Sequence, residues 1–160
     1  MAMKPWMIIA GVTFFVSLGS FLFRPRQDLG WVRRLELPQW LAVIEPAIPI
    51  IWTIVFACGA GSAILVWQQS PGTFNTWLLM LGYLLLEIVT VAYIPLTLRL
   101  QSLAIGTVLG GVGVGLGLLL MVVVALINVQ AALLLVPYLV WSPIGTYATR
   151  ELIELNPDSI

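Results

Sequence analysis

Five long apolar runs separated by short polar stretches set the pattern of this chain. They cover roughly residues 6–23, 44–67, 76–98, 103–127 and 131–149. Each is close to the ~20 residues that a helix needs to cross the hydrocarbon core of a bilayer. Helix is the expected state, because lipid offers no partner to exposed backbone groups and a small open sheet would leave bare edges. Barrel strands would alternate polar and apolar residues, and the run Leu118-Leu119-Leu120-Met121-Val122-Val123-Val124 does not. The expected fold class is therefore an all-α membrane protein, a bundle of five transmembrane helices that forms a single domain over residues 1–160.

Charge sharpens this picture. No Asp, Glu, Lys or Arg occurs from Leu100 to Thr149 or from Pro46 to Leu86, and charged residues make up only 9% of the chain against 61% apolar. A soluble domain of this size could not clothe its surface with so few charges. Net charge is zero, but its distribution is lopsided. Arg24, Arg26, Arg33, Arg34, Arg99 and Arg150 all fall on connections that must share one side of the membrane, and only Lys4 falls on the other. The positive-inside rule then places the N-terminus outside and the C-terminus in the cytoplasm. The first run is followed by four arginines and no small-residue cleavage site, so it reads as a retained helix rather than a signal peptide. With Asp28 and Glu36 among them, those arginines read as a topology determinant, and nucleic acid is not an expected partner. The lack of an organellar presequence points to a bacterial inner membrane.

Candidate chemistry is sparse. The chain has no histidine, which removes the commonest general base and transition-metal ligand. The single Cys58 lies in an apolar run and reads as a small packing residue. Glu87 stands near the middle of the third run, where a carboxylate is expensive. Tyr83 and Thr90 share its helical face and are its expected hydrogen-bond partners. Two readings of Glu87 stand side by side: a ligand or proton site, or a structural carboxyl that joins two helices. Glu45, just ahead of Pro46 and Pro49, fits a helix entrance.

Of seven tryptophans, Trp6, Trp31, Trp40, Trp67 and Trp77 lie near span ends, as headgroup anchors do. Trp52 and Trp141 lie deeper, where indoles either pack or wall a cavity for a flat apolar ligand. The fourth run holds Gly106, Gly110, Gly111, Gly113, Gly115 and Gly117. Their small-xxx-small spacing permits close helix approach, within the subunit or at a dimer seam. It is no dinucleotide fingerprint, since no strand precedes it and no acidic partner follows.

Several motifs together resemble the translocator protein/tryptophan-rich sensory protein (TspO/MBR) family. Trp31, Leu35, Pro38 and Trp40 keep the family's Trp-x4-Leu-x2-Pro-x-Trp spacing. Pro49-Ile50-Ile51-Trp52-Thr53 resembles its Pro-x-Trp-Thr entry to the second helix, with one extra residue and Gly59 following. Leu134-Leu135-Val136-Pro137-Tyr138-Leu139-Val140-Trp141 resembles its Leu-Val-Pro-Tyr-Leu-x-Trp segment, and Thr146, Tyr147 and Leu155-Asn156-Pro157 continue the likeness. There are departures. Leu84 to Val91 lacks the family's Asn and Trp and carries Glu87, Leu41-Ala42-Val43-Ile44-Glu45 replaces Pro-Pro-x-Trp, and Thr149-Arg150 stands where Asn-Tyr is usual.

The resemblance implies a five-helix bundle, commonly a homodimer, with a cavity beneath the first loop for porphyrins and other flat hydrophobic ligands. Trp52, Tyr138 and Trp141 would line it and residues 24–43 would form its lid. Glu87, Trp40 and Tyr147 complete the candidate ligand-binding set. Protoporphyrin IX or a haem-like porphyrin is the expected ligand, with no obligatory cofactor, no metal and no catalytic residues. The resulting expectation is a membrane receptor or carrier with a sensory or transport role. Two alternatives stand beside it: light-dependent porphyrin breakdown, as the resemblance to some bacterial relatives implies, and a small assembly or regulatory subunit that docks through its glycine-rich helix.

Overall fold

The computed structural model describes residues 4–22 and 29–159. Arg24, Arg26 and Asp28 of the expected first loop lie outside the described residues. The helices are α1 (Pro5–Leu22), α2 (Leu29–Val32), α3 (Gln39–Ile44), α4 (Ile48–Gln69), α5 (Phe74–Leu100), α6 (Leu103–Ala125), α7 (Val129–Leu133) and α8 (Val136–Leu155). No strand occurs among the described residues. Four helical stretches are long and apolar enough to cross a membrane: Gln39–Gln69, Phe74–Leu100, Leu103–Ala125 and Val129–Leu155. The apolar part described for α1, Pro5–Gly19, is shorter.

Two stretches differ from the boundaries expected of the sequence, and prolines explain both. The second begins at Gln39, inside the expected loop, because extended Pro38 offers its carbonyl to the amides of Leu41 and Ala42 at 3.0 and 3.2 Å and starts α3. A 3-10 turn, Glu45–Ala47, then joins α3 to α4. Pro46 sits in that turn and Pro49 in the first turn of α4, where the missing amide hydrogens have no partner to lose. The last expected run is broken into α7 and α8. Pro137 occupies the first turn of α8 for the same reason, and α8 continues past residue 149 to Leu155.

The turns follow local chemistry. Thr73, Ser102 and Asn128 cap α5, α6 and α7 by accepting from the amides of Thr76, Ile105 and Ala131. Gln101, in the left-handed region at φ 48°, reverses the chain between α5 and α6.

The long helices close into a ring. α1 packs on α4 and α5, α5 on α6, α6 on α8, and α8 returns to α4. Val66, Val124 and Ser62 are fully buried at its centre. Large apolar side chains such as Phe15, Phe74, Val108 and Leu126 point outward, as they must where the surrounding solvent is hydrocarbon.

The α6 glycines decide how two of these seams are made. A Cβ at Gly117 would lie 2.7 Å from Tyr138 Cε1 and one at Gly113 2.6 Å from the Tyr138 hydroxyl. Gly106 meets Thr97 and Thr149, and Gly110 meets Thr146. Close packing within the subunit therefore accounts for these four. Gly111 and Gly115 face open space.

The segment after α1 is fastened to the far end of the chain. Trp31 is buried with Leu98 and Leu103. Trp40 Nε1 donates to Glu151 Oε2 at 2.8 Å. The Glu36 amide donates to Asn156 Oδ1 at 2.8 Å, and Asn156 Nδ2 donates back to the Glu36 carbonyl at 3.1 Å. Exposed Arg33, Arg34, Arg99 and Arg150 gather at this same end.

Candidate ligand-binding site

A small cavity opens among α4, α5 and the junction of α7 with α8. Its walls include Phe56, Tyr83, Leu86, Glu87, Thr90 and Tyr138, and its free volume is about 30 Å³. That is roughly the share of liquid volume that one water occupies. This cavity as it stands has no room for a flat polycyclic molecule, and a ligand of that kind would have to part the helices around it to enter.

Polar groups around the cavity are tied to different helices. Thr13 of α1 donates to Glu87 Oε1 at 2.6 Å. This corrects the expectation that Tyr83 and Thr90 bind Glu87. Tyr83 instead pairs with Ser62 at 2.5 Å, and Ser62 donates to the Ala131 carbonyl at 2.7 Å. With the serine hydrogen so placed, the Tyr83 hydroxyl is the donor to Ser62. Thr90 Oγ1 donates to the Leu86 carbonyl at 2.7 Å and meets the Tyr138 hydroxyl at 3.2 Å. Helix neighbours at i±3 or i±4 share a face, but their backbone and cross-helix acceptors were nearer than the carboxyl.

The aromatic candidates divide into two groups. Trp52 meets Tyr138 edge-on with ring centroids 6.5 Å apart, and Phe56 at 5.9 Å. Trp141 is partly buried and packs against the core cluster that contains Tyr138. Glu87 and Tyr138 are thus brought to one cavity and Trp52 to its edge through Tyr138, while Trp141 packs on the core beyond the cavity walls. Trp40 lies elsewhere, at the charged end with its indole bound to Glu151. Tyr147 is 62% exposed and faces away from the cavity.

Sequence reasoning missed Thr13 and Ser62. Each is a hydroxyl within an apolar helix, and each bonds across to α5. A hydroxyl side chain in such a run was the available signal. A second cleft, about 260 Å³, lies at the opposite end between the start of α1 and the end of α4, walled by Trp6, Ile9, Ile64 and Trp67. The Trp67 ring is braced edge-on by Trp77 at 5.0 Å.

A search among curated proteins found no match. The match that was found is to a family description, and it runs through every helix that builds the cavity. The TspO/MBR family model matches residues 7–154, so this chain, an integral multi-pass membrane protein, belongs to the TspO/MBR family.

Proposed function

We propose that the chain is a membrane receptor or carrier for porphyrin-type tetrapyrroles or similar flat hydrophobic ligands, with a sensory or transport role. The observation that carries the reading is the wall at the α4–α8 boundary, where Trp52 lies edge-on to Tyr138 beside a cavity that holds a carboxyl and three hydroxyl-bearing side chains. Aromatic faces supply contact area for a planar ring, and the few polar groups orient it. The seams of α4 with α5 and α8 are the least extensive among the long neighbouring helices, so this is the side where the bundle parts most readily. Trp52 and Trp141 serve as ring contacts in the opened state. The segment containing α2 and α3 acts as the lid at the arginine-bearing end.

The proposed arrangement has α1 as a fifth span, with the N-terminus outside and the arginine-bearing end in the cytoplasm of a bacterial cell membrane. Arg33, Arg34, Arg99 and Arg150 at one end support that orientation. A homodimer is the proposed assembly. The outward Gly111–Gly115 pair supports α6 as its seam, because both positions are open to a close-packed partner helix.

The test is a titration of the detergent-purified protein with protoporphyrin IX in the dark, followed by tryptophan quenching. A soluble tryptophan analogue corrects for inner-filter loss. Saturable quenching that a Trp52→Phe/Trp141→Phe variant loses supports the site. Linear quenching, the same in both proteins, overturns it. Illumination of the saturated complex then reads out whether the ligand is consumed.

A further inference from the structure

Glu87 is the one charged residue type away from the ends of the spanning helices: α1, α4, α6 and α7 contain no Asp, Glu, Lys or Arg, α5 otherwise carries only Arg99 in its last turn, and Arg150, Glu151 and Glu154 lie in the last two turns of α8. It lines the central cavity. Its only hydrogen bond to a described residue comes from Thr13, at Oε1, so Oε2 is left as an acceptor. The other polar walls are neutral. The Tyr83 hydrogen is committed to Ser62, and Thr90 is directed to Leu86 and Tyr138. At the α7–α8 junction the amides of Leu134 and Leu135 are bonded to the carbonyls of Gln130 and Ala132. A carboxylate that entered this cavity would face a carboxyl with no cation to balance it. A protonated nitrogen or an N–H group would meet its natural partner.

Resting on the ligand-binding reading above, we propose that Glu87 sets the polarity of the site. It selects ligands that present an N–H donor or a protonated nitrogen to the middle of the bundle, and it turns away ligands that enter carboxylate first. An acidic flat ligand must then leave its carboxylates toward Arg33, Arg34, Arg99 and Arg150. Planar rings with inner N–H groups and peripheral acids satisfy both conditions at once. Thr13 bonds the carboxyl from across the bundle and leaves one oxygen for the ligand, and the selectivity resides in the carboxyl itself.

Three probes with one ring test this: pyrene, 1-pyrenemethylamine and 1-pyrenecarboxylic acid. Each is titrated at neutral pH into the protein in a nonionic detergent, with energy transfer from tryptophan as the signal. The amine is expected to bind about tenfold more tightly than the acid, as one poorly hydrated charge contact would give. Glu87→Gln keeps the size of the side chain and an acceptor for Thr13. It is expected to bring the two affinities to within about twofold and to leave pyrene unchanged. Thr13→Val retains the carboxyl and should retain the preference.

Equal binding of amine and acid by the wild-type protein overturns the proposal without any variant, as does absence of saturable amine binding. A preference that survives in Glu87→Gln, or one that Thr13→Val removes, also overturns it. The outcome is separable from that of the protoporphyrin titration. Saturable, Trp52-dependent porphyrin binding without a Glu87-dependent amine preference would sink this inference alone. A Glu87-dependent preference without porphyrin binding would sink the tetrapyrrole reading and leave the polarity of the site standing.

Discussion

The two sides of the ring are built on opposite principles. On the α6 side, Gly106, Gly110, Gly113 and Gly117 let threonines and Tyr138 approach until no Cβ would fit. Close-range dispersion there, which lipid cannot match, is joined by a hydrogen bond between Tyr93 and Thr149. On the α4 side, helix seams are less extensive, and cohesion is carried by scattered hydroxyls: Ser62 to Tyr83 and Ala131 across α4, α5 and α7, and Thr13 to Glu87 across α1 and α5. The difference teaches where movement belongs. A glycine-spaced seam loses contact at once when it opens. A seam made of a few hydrogen bonds around a water-sized cavity can exchange them for bonds to whatever enters.

The comparison can be broken most forcefully on the glycine face. Gly117→Val would drive a side chain into the Tyr138 ring, and overpacking of this kind costs on the order of 3 kcal/mol. The expected result is a marked fall in thermal unfolding temperature in detergent. Gly115→Val, two residues away on the outer face, meets open space within the subunit and should leave the unfolding temperature of the monomeric protein near wild type. Similar losses from both would mean that the seam does not depend on close approach.

A smaller effect is expected on the other side. Ser62→Ala leaves Tyr83 without its partner and the Ala131 carbonyl without its donor. Interhelical hydrogen bonds in membranes are worth about 1 kcal/mol, so thermal unfolding should show a modest loss. Opening on this side should also become easier, which would appear as faster amide exchange in α4 than in α6. Equal acceleration in both helices would contradict the division.

The smallest effect belongs to the segment of α2 and α3. Trp40→Phe deletes the indole donor to Glu151 and should change global stability by less than about 1 kcal/mol. Its readout is local: proteolysis between α2 and α3 should speed up while the spanning helices stay protected. Unchanged cleavage would mean that Trp31 and the Asn156 pair hold the segment without Trp40.

Much of this architecture was legible before any coordinates. The charge-free runs around Ile64 and Gly113 require hydrocarbon, and the Trp31 to Trp40 and Val136 to Trp141 motifs carried the family. What sequence could not supply was partners. Spacing ties Glu87 to Tyr83 and Thr90, because only i±3 and i±4 relations are visible along one helix. The residue that holds Glu87 is Thr13, on a helix 74 positions earlier in the chain. Nor could the six glycines be sorted by pattern alone. Gly111 and Gly115 have the same spacing as Gly106 and Gly110, and only the placement of α5 and α8 separates the inward face from the outward one. The helical start at Gln39 was hidden for a simpler reason: Pro38 reads as loop, and its role as an initiator depends on a carbonyl that the sequence does not show.

The reciprocal bonds between Glu36 and Asn156 have a consequence for the order of events in biosynthesis. Glu36 leaves the ribosome long before Asn156, and the two lie 120 positions apart. While the intervening helices are inserted, the segment has only the packing of Trp31 on Leu98 and Leu103 to hold it. Its hydrogen bonds to the end of the chain form only when α8 has been made and docked, so full fastening of this segment comes last in biosynthesis.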